Sequence, residues 1–75
     1  MTLIAPRISV DPEVRFGKPV IAGTRVPVSV IVGAVAAGDS WGEVAQQYGI
    51  TEEDVRAALT YAAQRLEEET VRASA

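Results

Sequence analysis

Hydrophobic positions in the second half of the chain recur at helical spacing. Val55, Leu59, Ala62 and Leu66 are separated by four, three and four residues, so at about 100° per residue they share one stripe. Trp41, Val44, Ala45 and Tyr48 form a matching face on a preceding segment. Capping residues bound these stripes. Ser40-Trp41-Gly42-Glu43 fits the S-x-x-E capping box, and Gly49 stops the helix it opens after Tyr48. Thr51 caps a third helix that starts at Glu52, runs to about Leu66 and frays into Glu67, Glu68 and Glu69. Upstream, Ser29 is expected to cap a helix over Val30–Ala37 that ends at Gly38.

The first 28 residues follow a different pattern. Arg7-Ile8-Ser9-Val10 alternates, which predicts a short strand with Ile8 and Val10 on one face, ended by Asp11-Pro12. Gly17-Lys18-Pro19 marks a turn. Val20 to Val28 reads as a hairpin with Gly23-Thr24 as a two-residue type II′ loop, Ile21 opposite Val26 and Ala22 opposite Arg25. An extended loop without a ladder is the alternative. The expected architecture is one mainly α domain over residues 1–75. It comprises a β arm and hairpin (1–28), a three-helix bundle (29–66) and an acidic, fraying tail (67–75). Trp41 to Val55 has the frame of a helix-turn-helix. Ala45 sits at the close approach, Gly49 at the turn, Ile50 as a plug and Val55 packing back.

Size changes the picture at one point. A domain of 75 residues draws only a few kcal/mol from its core, and this chain has no cysteine and no histidine to add a disulfide or metal. A homodimer is therefore expected, with a well-packed helical monomer as the alternative. The longest apolar run, Val26 to Ala37, is broken by Pro27, Ser29 and Gly33. With no signal-peptide pattern either, no membrane partner and a cytoplasmic location are expected.

Charge divides the chain. Residues 1–28 carry four cations and two acids; residues 29–75 carry three cations and eight acids. The third helix leads with Glu52, Glu53 and Asp54, which oppose phosphate where a recognition helix meets base edges. Arg56 and Arg65 lie on opposite sides of it, Ala57, Thr60 and Gln64 are neutral, and Glu52 is placed to pair with Arg56. DNA contact is better served by Arg15, Lys18 and Arg25 in the basic arm.

Catalytic patterns are missing. A phosphate-binding Gly-Lys loop fails at Pro12 and Pro19, and a nucleophilic triad lacks its histidine. Lys18 is the only lysine available for a Ser–Lys pair and reads as a solvated turn residue. Glu52 to Asp54 read as first-turn acids that suit the helix dipole, not as a magnesium site. The chain is expected to be no enzyme and to use no cofactor or metal.

Three stretches carry a family resemblance: Ile8-Ser9-Val10-Asp11-Pro12; Gly17-Lys18-Pro19-Val20-Ile21-Ala22-Gly23-Thr24-Arg25-Val26-Pro27-Val28; and Ala37-Gly38-Asp39-Ser40 followed by Tyr48 to Asp54 and Ala57-Ala58-Leu59. From about Ile8 to Leu66 the chain resembles the family called domain of unknown function 433. The resemblance implies a homeodomain-like helical fold with a short β arm, dimers, and no catalytic residue. It also implies antitoxins of type II toxin–antitoxin pairs, partnered by PIN-like ribonuclease toxins. Phe16 departs from the family pattern, which has glycine there; the ring is expected to cap the core or to mark a contact surface.

A mechanism follows from the residues. PIN-like nucleases hold metal among carboxylates, and a guanidinium engages two carboxylate oxygens at once. Arg25, at the hairpin tip with Gly23 and Thr24, is the expected probe of such a pocket, with Arg15 and Lys18 beside it. Alternatively, Arg25 folds back onto carboxylates or helix-end carbonyls of its own domain. The expected function is a non-catalytic toxin-binding antitoxin. The alternatives are a DNA-binding regulator of its own operon and a purely structural dimer. The acidic tail at Glu67 to Glu69 would serve a basic partner.

Overall fold

The computed structural model describes residues 1–70. Strands β1 (Thr2–Ala5), β2 (Ile8–Val10) and β3 (Val20–Ile21) form one antiparallel sheet in the order β1-β2-β3. Helices α1 (Val28–Ala36), α2 (Trp41–Tyr48) and α3 (Glu52–Glu68) follow. The chain is thus mainly α, three helices with a short N-terminal sheet. The sheet joins the bundle through β2, where Ile8 pairs with Ile21 and both side chains enter the core. Val28, Ile31, Val44, Ala45, Val55 and Ala58 supply the rest of that core, and α3 packs on both α1 and α2.

The alternation around Ile8 gave β2 its place and puts Ile8 in the core, but both faces of the strand are covered. Ser9, not Val10, is fully buried, because it lies between Leu3 of β1 and Val20 of β3 in the central strand. Strand β1 was not expected. It pairs Thr2 with Val10 and Leu3 with Ser9, then bulges before Ala5 meets Ile8.

The hairpin after β3 keeps the expected register in a reduced form. Val20 bridges Pro27, and the Ile21 N–H donates to the Val26 carbonyl at 3.0 Å. The turn, however, lies one residue earlier than Gly23-Thr24. The Thr24 N–H closes on the Ile21 carbonyl at 3.0 Å, with Gly23 third in the turn at φ 79°. That is the position where a type II turn requires positive φ. The Thr24 hydroxyl decides the geometry: it donates to Ile21 O at 2.8 Å and accepts from Val26 N at 3.0 Å. Pro27, which has no N–H to continue a ladder, leads directly into α1.

Ser29 does not cap α1. The helix begins at Val28 with Pro27 as its N-cap, and Ser29 lies inside the first turn. Proline holds φ at −67° and its carbonyl accepts from Val30 and Ile31, so the entry is already set two residues before the serine. The exit is as expected at Gly38 (φ 105°). Gly38 N–H donates to Val35 O at 3.0 Å and Asp39 N–H to Ala34 O at 3.2 Å, the paired bonds of a Schellman motif. A Cβ at Gly38 meets no neighbour, so Gly38→Ala isolates the backbone term. The substitution is expected to destabilise by about 1–2 kcal/mol in urea titration.

The remaining caps stand where the sequence put them. Ser40 and Glu43 form their capping box, with bonds of 2.8 and 3.1 Å, and Gly49 ends α2 in the left-handed region. Thr51 opens α3 with a second box completed by Asp54. Leu66 is the exception to the predicted stripe. It is 66% exposed, while Val55 and Ala58 carry the buried face and Leu59 and Ala62 are half-buried. Helix α3 also runs on through Glu67 and Glu68, where Arg65 pairs with Glu68 at 3.1 Å. Its last turns face the start of α1 across an open groove, which leaves Leu66 uncovered. Of the predicted tail, residues 71–75 lie outside those described.

Candidate partner-docking site

The acidic start of α3 is not the bare row of carboxylates that the sequence suggests. Arg7, in the turn between β1 and β2, donates to Asp54 Oδ1 at 2.9 Å and to Glu53 Oε2 at 3.3 Å. Its backbone is left-handed (φ 66°), and its carbonyl is fixed by the Ala22 N–H at 2.8 Å. Burial alone raises the Asp54 pKa. Hydrogen bonds from the Thr51 backbone, the Arg7 guanidinium and the Thr51 hydroxyl outweigh it, with the Arg7 charge adding, and hold the carboxyl below its ordinary value. The expected Glu52–Arg56 pair does not form. Arg56 lies instead over the Trp41 ring, 5.5 Å from its centroid, where a cation–π contact replaces a solvated ion pair.

The basic residues collect on a lobe between β2 and β3. Asp11 and Val14 bridge, and the Gly17 N–H donates to Val14 O and the Lys18 N–H to Arg15 O, each at 3.1 Å. These bonds close a tight turn in which Arg15, Phe16 and Gly17 are all left-handed, at φ 51°, 58° and 81°. Such backbone costs a non-glycine residue about 1–2 kcal/mol. Arg15 Nε donates to the Arg25 carbonyl at 3.1 Å and fastens the lobe to the neighbouring turn.

The structure therefore brings Arg15, Lys18, Gly23, Thr24 and Arg25 into one region, on two faces. Arg15 and Lys18 share a shallow recess of 250 Å³ with Phe16, Pro27, Ser29 and Val30. Gly23, Thr24 and Arg25 line a separate 250 Å³ recess that also includes Asp11 and Val14. Thr24 is committed to shaping its own turn. Arg15, Lys18 and Arg25 are exposed and have no acidic partner among the described residues, whereas Arg7 and Arg65 are each ion-paired and Arg56 covers a ring. Arg25 thus makes no fold-back contact with a carboxylate of its own domain among those residues. Phe16 does not cap the core: it is 97% exposed.

A third surface is an apolar groove of 630 Å³ between the start of α1 and the end of α3. Val28, Val32, Gly33, Tyr61, Ala62 and Leu66 line it, with Lys18 and Arg65 at its rim. Among the described residues, no three His, Cys, Asp or Glu side chains are grouped to hold a metal ion, and no helix is long and apolar enough to cross a membrane.

Comparison with known proteins places this architecture. No sequence among the curated proteins matches the chain. Among solved structures, a DUF433 member from Anabaena variabilis is 35% identical with a TM-score of 0.74, over 83% of this chain and 62% of its own. Rv2018 of Mycobacterium tuberculosis is 36% identical with a TM-score of 0.65, over 69% of this chain and 24% of its own. The chain thus spans less than two thirds of either protein. The sequence profile described as "protein of unknown function (DUF433)" matches residues 8–62. That match includes the lobe, the turn at Gly23 and all but the last turns of α3, and the chain belongs to the DUF433 family.

Proposed function

We propose that the chain is a non-catalytic protein-binding module: the antitoxin of a type II toxin–antitoxin pair, neutralising a PIN-like ribonuclease in the cytoplasm by direct contact. The observation that carries this reading is the set of three cations without acidic partners, Arg15 and Lys18 on the hydrogen-bonded lobe and Arg25 on the turn fastened to it, in a domain that pairs or covers its other described cations. Free guanidinium groups on a fixed backbone suit a carboxylate-lined pocket, since a planar fork engages two oxygens at once. The homodimer expected from the size of the chain is part of the proposal, and sedimentation of the purified protein tests it.

The direct experiment uses the protein encoded by the adjacent reading frame. Wild type is expected to bind it and to suppress its ribonuclease activity. Arg25→Ala is expected to weaken binding about tenfold, the loss of one charge-assisted contact. Unchanged affinity removes Arg25 from the interface.

A DNA-binding regulator is a second reading, favoured by one observation. Arg7 compensates Glu53 and Asp54, which lessens the repulsion between a helix-turn-helix led by α3 and phosphate. Binding to the upstream sequence would then fall steeply with salt, in proportion to the phosphates contacted. A gel shift at two salt concentrations separates this reading from the first.

A further inference from the structure

We infer that Phe16 is the apolar anchor of the partner interface, a phenyl ring that enters an apolar socket ringed by carboxylates on a protein partner. This rests on the protein-binding reading above and extends it from the cations to the residue between them. Two features of Phe16 oppose the fold's own interest. Its backbone is left-handed at φ 58°, flanked by Arg15 and Gly17 in the same region, where glycine is favoured. Its ring is 97% exposed and so gains almost nothing from burial within the domain. Strained positions that their own fold does not reward concentrate at functional sites.

The surroundings give the partner's chemistry. Arg15 and Lys18 flank the ring in one recess, and Val30, 39% exposed, extends the apolar surface beside it. An aromatic ring beside an arginine is a composition common at binding hot spots, in which the ring is desolvated and the charge meets a complementary group. The cations select an acidic rim, and the ring selects an apolar socket. A ring between cations also stacks on nucleic-acid bases. Asp11 and Glu13 lie in the same lobe but outside that recess, so a continuous row of phosphates would meet like charge there, whereas carboxylates placed only opposite Arg15 and Lys18 do not.

The test measures affinity for the protein encoded by the adjacent reading frame, together with thermal stability, for Phe16→Gly, Phe16→Tyr and Arg25→Ala. Phe16→Gly is expected to weaken binding at least about tenfold while the melting temperature holds or rises by about 4 °C, as backbone strain is relieved. Phe16→Tyr keeps the ring and is expected to bind within about threefold of wild type. A structural role predicts the opposite split, with lower stability and unchanged affinity, and that result overturns the inference. So does a Phe16→Gly variant that instead loses binding to a labelled single-stranded oligonucleotide. If Arg25→Ala weakens binding and Phe16→Gly does not, the anchor falls and the antitoxin reading stands. If the wild-type chain does not bind, both fall.

Discussion

Replacing Ile31 by alanine is expected to leave most of the protein unfolded at 25 °C. Ile31 is fully buried in α1, in the cluster that joins Ile8 and Ile21 of the sheet to Val44, Val55 and Ala58 of the other helices. Truncating a buried isoleucine to alanine costs about 2–5 kcal/mol, through lost transfer energy and the cavity left behind. A core of this size contributes about 3–5 kcal/mol in total, so the loss is comparable to the whole stability. Ile31→Val removes one methyl and is expected to cost about 1 kcal/mol, which keeps the fold. Circular dichroism with urea titration of both variants checks the expectation. An Ile31→Ala protein that melts within a few degrees of wild type contradicts it.

Asp54→Ala is expected to cost about 2 kcal/mol, because one side chain serves two structures. Its Oδ2 accepts the Thr51 N–H at 3.0 Å and so completes the α3 capping box, while its Oδ1 holds Arg7 at 2.9 Å. Loss of a helix cap alone accounts for about 1 kcal/mol. Arg7→Ala breaks only the exposed ion pairs and is expected to cost less, up to about 1 kcal/mol. The direction of the Asp54 shift sets the pH dependence. Its folded pKa lies below the unfolded value, so its contribution is complete above the unfolded value. That contribution disappears as pH falls through the depressed folded value, below the ordinary aspartate range near about 4. Wild type is expected to lose stability across that window, and Asp54→Ala to lose less. Parallel acid titrations of the two proteins therefore report on this carboxylate.

The helical half of the fold is legible where the signal is local. Ser40 with Glu43, Gly49 and Thr51 act on backbone groups within four residues, and each is found where the sequence placed it. Ser29 misleads because the same residue type also fits a first turn, and Pro27 had already fixed the entry to α1. The pairing rule for Glu52 and Arg56 counts charges on one helix, whereas Trp41 on another competes for the guanidinium. Leu66 satisfies the helical period, but period says nothing about whether a neighbouring element closes over that position. The Arg7–Asp54 tie depends on a contact between residues distant in sequence and leaves no local pattern. Strand β1, in contrast, pairs with residues only three to eight positions away, so the Thr2-Leu3-Ile4-Ala5 run before Pro6 is itself a local strand signal. At the candidate site, the uneven charge marks Arg15, Lys18 and Arg25 beforehand. That these cations lack partners, and that the ring between them points outward, emerges only in three dimensions.

The bond from Arg7 to Asp54 spans 47 residues. Together with Ile8 entering the common core, it makes the sheet and the helices halves of a single closed circuit. The entropy of closing a loop that long is recovered only when both sides of it are in place. Neither the arm nor the bundle is then expected to fold by itself, and the two are expected to order and melt as one cooperative event. For the partner proposed above, a lobe carried on such a circuit would present a shape already set, so little ordering entropy would be charged to the encounter.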